Sequence, residues 1–548
     1  MQRTTTKRFY IIHSWMGALT AILIFVLAVT GAASVFGRPE LKIWANEPIH
    51  HPVEHSSAAI EKLVRDRADE VPAEYLGEVV VLFPGVRRSS NVVVYFENES
   101  EREDGTVRHH IIRFDHDPST LEFKGRREGE ALELFETDRK DMADFLIKFH
   151  ADLHLGDPWG LLLTGLLGLT LFASTVTGVI THRKILKEAF TFRPFRSLRL
   201  LFTDSHKVLG VWGLLFHGTI GFTGAFLGLA VVILFPAAAY VSMGGDTEAL
   251  VEKYLPLGAP ERSGITAELR LADVLDDARS RGTGPILAAN LLEADDRNGV
   301  ILVNTLAGED LVGQTLRYRI EGTVLEESYT TFSRVGGAAG SILDAMFPLH
   351  FGNFAGIWVK FLWFFLGLST AFLSVSGMMI WIERRVHGSA GEMSVIAYRR
   401  ISRFTVGACA GVVIATVSLF HAQLLLDASA QTAGFWIGTV FFGSWIACIV
   451  WSMLRTNEYR STKELIGIAG FLCIAVPPLN ASITGNHLLN AWRDGHVVTG
   501  AVDLTLLLLG LAMLAVAVRL PAQRPLRKGK FGGQQPAVRD EAPLEVTA

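Results

Sequence analysis

The sequence predicts a polytopic α-helical membrane protein of about eight spans, with two α+β domains on one side of the membrane and a duplicated span–domain–span unit. Three observations carry this. The 548-residue chain is 49% hydrophobic and contains repeated apolar runs of the roughly 20 residues that a bilayer core requires. Its Lys and Arg fall in clusters on alternate loops. Finally, the segment H-S-W-M-G, with T-G thirteen residues on, is echoed by H-K-V-L-G with T-G at the same interval. His13, Gly17 and Thr30-Gly31 thus match His206, Gly210 and Thr223-Gly224.

Taken in order, the expected spans cover 10–36, 159–181, 207–237, 356–382, 403–425, 433–454, 463–483 and 497–520. The first is too long for a signal-peptide core and reads as a retained helix. Arg3, Lys7 and Arg8 precede it, Arg183 to Arg199 separate the second and third spans, and Arg384 to Arg403 follow the fourth. Arg455 and Lys463 flank the loop after the sixth, and Arg524 to Lys530 follow the eighth. All lie on one side if both termini are cytoplasmic, which points to a multi-pass protein of a bacterial inner membrane. The net charge of −4 decides nothing further.

The chain then divides into a first span (1–36), an outer domain (37–158), two spans with a cytoplasmic loop (159–237), a second outer domain (238–355), a fourth span (356–388), and four added spans with a tail (389–548). The two outer regions are expected to be periplasmic. The first offers a helix at 57–68 and strands near 79–83, 92–96 and 107–114. The second repeats that order with a helix at 271–281 and strands at 299–306 and 315–321. The spans that return from these domains also match. L-H-L-G-D-P-W-G (153–160) precedes one and L-H-F-G-N-F-A-G (349–356) the other, so His154 corresponds to His350. Each carries a small pair near its far end, Thr177-Gly178 and Ser376-Gly377, read as a site of close helix crossing.

Histidines supply the candidate chemistry. His206 and His217 are eleven residues apart, about three helical turns, so they share a face and differ in depth by about 16 Å. A single membrane histidine is often only a hydrogen-bonding residue of helix packing. A pair echoed elsewhere at the same offset from glycine points instead to ligands facing a bundle interior. Two neutral imidazoles and an apolar slot between helices are what b-type haem needs, and without C-x-x-C-H the attachment would be non-covalent. By depth, His13 and His206 form an inner axial pair. His217 lies nearer the outer half, where His150, His154 and His350 approach, and one of these three suffices to complete a second site. Two haems b are therefore expected. Cys409, Cys448 and Cys473 read as core residues, while His109, His110 and His116 read as surface.

The H-x-W-x-G first span, the L-H-x-G-x-x-x-G starts of the return spans and the W-x-x-x-F-H-x-x-x-x-x-T-G third span resemble the PepSY-associated transmembrane family, over roughly residues 1–388. The resemblance implies PepSY-like outer domains. It also implies an activity, since members include inner-membrane haem-containing reductases of ferric siderophores. A ferric siderophore or another periplasmic acceptor would then receive electrons. No flavin or nicotinamide fingerprint is present, so the donor, a quinol or a cytoplasmic reductase, is a separate molecule. Residues 403–548 have no counterpart in the resemblance. Membrane lipid is the other expected partner, and nucleic acid is not one. The competing class is a cofactor-free PepSY-domain regulator or peptidase-inhibiting protein. A proton-coupled transporter would need acidic or basic residues in the core spans, where Lys360 is the exception.

Overall fold

A computed structural model describes residues 3–45, 53–84, 91–101, 107–136, 141–182, 185, 189–193, 198–254, 260–306, 311–387, 394–426, 430–485 and 488–523. Among these, eight helices are long and apolar enough to cross a membrane: Thr4–Ser34, Trp159–Thr181, Leu214–Met243, Ile357–Arg385, Ile396–Leu425, Thr432–Leu454, Glu458–Thr484 and Val497–Arg519. They correspond to the eight spans expected from the apolar runs. The third differs in one respect. Helix Leu198–Trp212 ends at Gly213 before the span resumes at Leu214. Glycine is required at that position, because a Cβ at residue 213 would lie 2.3 Å from Nε2 of His217.

The outer regions form one sheet rather than two separate domains. Strands β1 (Glu78–Leu82), β2 (Val92–Glu101), β3 (Val107–His116) and β4 (Phe123–Glu130) come from the first region. Strands β5 (Ile286–Leu292), β6 (Val300–Thr305), β7 (Thr315–Arg319) and β8 (Val324–Tyr329) come from the second. The order is β4-β3-β2-β1-β5-β6-β7-β8, symmetric about an antiparallel seam from Glu78↔Leu292 to Leu82↔Ala288. Helices Ser57–Ala68 and Leu271–Ser280 pack side by side on one face, burying Ile60, Leu63, Val274 and Leu275 against Val79, Phe96, Ala289 and Ile301. Each half would otherwise expose β1 or β5 as an unpaired apolar edge, so joining them covers both edges. The outermost strands, and β5 at the seam, were not expected from sequence. In β4, F-K-G-R-R-E-G-E, and in β8, V-L-E-E-S-Y, edge position replaces hydrophobic alternation with charge.

His116, expected at the surface, is fully buried at the end of β3. Burial, reinforced by the neighbouring Arg67 guanidinium, pulls its imidazole down to about 4. The unfolded chain therefore takes up a proton more readily than the folded one as pH falls from about 6.5 to about 4, and stability drops across that window. His116→Leu should flatten this acid limb, with a difference on the order of 3 kcal/mol between pH 7 and pH 4. Unchanged acid sensitivity in denaturation of the purified variant would refute the assignment.

The added spans pack against the first unit along its length, with Tyr398 on Met378, Trp381 and Ile382 at one end and the helix Met142–Asp152 providing the contact at the other. Phe145 and Phe149 of the helix Met142–Asp152 meet Phe441 at centroid distances of 5.1 and 4.7 Å. The Gln423 side-chain oxygen accepts from the Met142 amide, and its nitrogen donates to the Ala45 carbonyl. Buried Asp503 of the eighth span accepts from Trp44 Nε1 at 2.8 Å and from Asn480 Nδ2 at 3.0 Å. A carboxyl group at such depth needs these donors, since unpaired it costs several kcal/mol. Nearby, buried Lys42 pairs with Asp141 (2.9 Å) and Asp144 (2.5 Å), fixing the first turn of the Met142–Asp152 helix. Lys360 is accounted for in the same way, by Glu40 at 2.7 Å and the Arg38 carbonyl at 2.9 Å.

Candidate functional site

The four Thr/Ser-Gly steps are histidine cradles as well as points where helices approach. His13 Nδ1 lies 3.0 Å from the Ser174 carbonyl and 3.3 Å from Thr177 Oγ1, with the ring over Gly178. His206 Nδ1 lies 2.9 Å from Ser376 Oγ, with its ring over Gly377. His350 Nδ1 lies 3.0 Å from Thr223 Oγ1, over Gly224, and His150 Nδ1 lies 3.5 Å from Thr30 Oγ1, over Gly31. Each histidine is therefore held by a neighbouring helix at a two-residue step repeated four times.

The chemistry of the hydroxyls fixes the tautomer. Thr30, Thr177, Thr223 and Ser376 donate their own protons to carbonyls three or four residues back, at 2.8, 2.8, 2.7 and 3.2 Å. Their oxygens can then only accept from the imidazoles, which places the ring proton on Nδ1. For His13 the Ser174 carbonyl requires the same assignment. Among the described residues no protein partner takes Nε2 of these four histidines. Each ring is thus oriented through Nδ1–H, which in its neutral form leaves the Nε2 lone pair available, the arrangement by which hydrogen-bonding partners prepare a metal ligand.

The cradles lie at two levels. His13 and Thr30 are 17 residues apart on the first span, as are His206 and Thr223 across the third, about 25 Å along a helix. His150 and His350 meet at the level of Thr30 and Thr223, with ring centroids 6.1 Å apart and planes 30° from parallel. A metal–nitrogen bond of roughly 2 Å and about 1 Å from nitrogen to ring centre, counted on both sides, gives about 6 Å for two imidazoles on one ion. His13 and His206 lie at the other level, within electrostatic reach of each other.

The other two candidates are placed elsewhere. Buried His217 has Nδ1 2.9 Å from Thr370 Oγ1 and Nε2 turned back toward the Leu209 carbonyl. It is within reach of His206, so it sits on the inner side of the position expected from depth alone. His154 adopts a left-handed backbone conformation (φ 54°) after the helix Met142–Asp152, which turns its ring onto Phe145 at 4.4 Å and its Nε2 to the Phe145 carbonyl at 3.2 Å. The sequence match between His154 and His350 is therefore not a match of position, and His150 takes the place opposite His350.

These features meet the requirements of b-type haem: neutral nitrogen ligands in pairs, side-chain-free glycines beside them, and apolar helices around them. The residues that sequence reasoning undervalued are Thr30, Thr177, Thr223 and Ser376. Their signal was present in the repeated T/S-G step, whose histidine partners become visible only after folding.

The comparisons with known proteins fall on the same part of the chain. An uncharacterized protein of Pseudomonas aeruginosa is 29% identical over 393 residues, covering 68% of this chain and 93% of that relative. The family described as PepSY-associated TM region matches residues 10–384, which hold all four cradles and both outer regions, and the chain is a member of that family.

Proposed function

We propose that the protein is a di-haem b-type membrane oxidoreductase, moving electrons from a cytoplasmic-side donor to a periplasmic acceptor, with a ferric siderophore as the acceptor that the family resemblance favours. The single observation that carries this reading is the meeting of His150 and His350 at 6.1 Å, each presenting Nε2 and each held through Nδ1 by a Thr-Gly step. Bound haem would supply one-electron Fe(III)/Fe(II) cycling at each histidine pair. His150 and His350 would hold the outer group, and His13 and His206 the inner one.

The chain's own contribution is positional and electrostatic. The hydroxyls hold each imidazole in one tautomer, and each half-buried ring lies beside a glycine of a neighbouring helix. In this reading the basic loops face the cytoplasm and the sheet faces the periplasm, which supports a separate donor and acceptor on opposite sides. Reduction of a hard-oxygen ferric chelate weakens its hold on iron, so electron delivery alone would release Fe(II).

The test is an optical spectrum of the purified full chain, before and after dithionite. A Soret band that shifts on reduction, with close to two haems per polypeptide, is expected. Protein purified from haem-replete cells with no such band would overturn the proposal.

A further inference from the structure

The sheet carries a second cluster of ligand-type side chains on the face opposite its two helices. On β2, Glu97 and Glu99 are two residues apart and project to the same side. His109 of β3 stands directly across from Glu99 and diagonal to Glu97, while Glu78 of β1 stands directly across from Glu97. The His109 Nδ1 lies 2.6 Å from Glu97 Oε1 and 3.3 Å from Glu99 Oε1. One ligand atom from each of the three residues falls within a 4.8 Å span of the others.

We propose that Glu97, Glu99 and His109 form a binding site for a divalent first-row transition-metal ion on the open face of the sheet. Three features favour this over an ordinary surface ion pair. The donors come from two paired strands, so hydrogen-bonded register fixes their spacing before any ion arrives. The Nδ1 is aimed between the two carboxylates, where a proton occupies the position an ion would take. The patch also has excess negative charge, with the two carboxylates of Glu97 and Glu99 around one imidazole, while burial and those two neighbours push the Glu78 carboxyl beside them up to about 7. Next to it, buried Val80, Tyr95 and Ile111 share the face and keep water from one side, which strengthens electrostatic attraction for a cation.

The donor set defines the ligand class. An imidazole nitrogen with two carboxylates suits Zn(II), Fe(II), Mn(II) or Co(II), whereas Mg(II) prefers oxygen alone and retains its waters. On binding, an imidazolium would lose its Nδ1 proton to solvent, and a neutral ring would carry its proton on Nε2 instead. No electron transfer is involved. Glu97 is the most enclosed ligand, at 11% exposure, while His109 and Glu99 at 48% and 57% leave the ion open to solvent. The site is therefore suited to exchange with the medium rather than to permanent structural use.

The experiment is calorimetric titration of the chelator-treated full chain, carrying no polyhistidine tag, with Zn(II) alone and with Mg(II) alone at pH 7.5. One Zn(II) equivalent should bind in the micromolar range and persist in millimolar Mg(II). His109→Ala and Glu97→Gln should each weaken that equivalent at least tenfold with an unchanged melting temperature. The sequence also holds a separate H-H-x-x-x-H segment, and a variant with its His50, His51 and His55 all replaced by Ala should retain the equivalent. The proposal is overturned if the wild type binds no Zn(II), if His109→Ala binds as tightly as the wild type, or if the His50/His51/His55 variant loses the same equivalent. The His109→Ala and Glu97→Gln arms report on this site alone, because neither residue belongs to the His13–His206 or His150–His350 pair, so the site stands or falls apart from the oxidoreductase reading.

Discussion

Replacing His150 or His350 with alanine is expected to remove one haem equivalent per chain and to leave the other reducible, while His13→Ala or His206→Ala should remove the second equivalent. The two classes separate because the cradles lie about 25 Å apart along the first and third spans, too far for one pair to substitute for the other. If haem is held as proposed, each histidine pair would supply its two protein ligands, and loss of either imidazole would weaken its retention. His217→Ala should leave the outer equivalent in place, since its ring faces Thr370 and the Leu209 carbonyl rather than His350. His154→Ala should do likewise, because its ring packs on Phe145. Haem stoichiometry with the reduced spectrum of each variant decides the matter. If His150→Ala and His206→Ala lose the same component, the two-level assignment is wrong.

The glycines provide a second large effect with a built-in contrast. A Cβ at Gly31 would stand 2.6 Å from Cε1 of His150, closer than carbon atoms can approach, whereas at Gly178 it would stand 3.4 Å from Cε1 of His13, an ordinary contact. Gly31→Ala must therefore displace the His150 ring or separate the helices. Overpacking of this kind costs about 1–3 kcal/mol, equivalent to roughly 5- to 150-fold weaker retention of the proposed outer haem. Gly178→Ala should retain haem nearly as the wild type does. Retention can be followed by transfer to an excess of apomyoglobin over time. Equal loss rates for the two variants would mean that the glycines serve helix packing alone, with no role in seating the imidazoles.

The apolar runs and basic clusters determined the number of spans, because a bilayer accepts only segments of sufficient length and penalises buried charge. The repeat of His, Gly and Thr-Gly at equal intervals determined that the first four spans form a duplicated unit. It did not reveal that each Thr-Gly or Ser-Gly step serves a histidine of a different segment, since those partners lie between 120 and 170 residues away. Nor could spacing decide between His150 and His154, four residues apart at the end of one helix. That choice rests on the left-handed turn at Leu153 and His154, which swings one ring onto Phe145 and leaves the other facing His350.

Tertiary structure likewise decided the sheet. Local pattern specified a helix followed by strands in each outer region, but whether two such halves remain apart or share an edge depends on which unpaired strands find each other. The β1–β5 seam resolves that by pairing the backbone of two buried, Val- and Leu-rich strands. Asp503 shows the same division between local and long-range information. Sequence places a carboxyl group in the eighth span, where an unpaired charge would be intolerable, and only the fold brings Trp44, 459 residues away, to donate the hydrogen bond that allows it to stay.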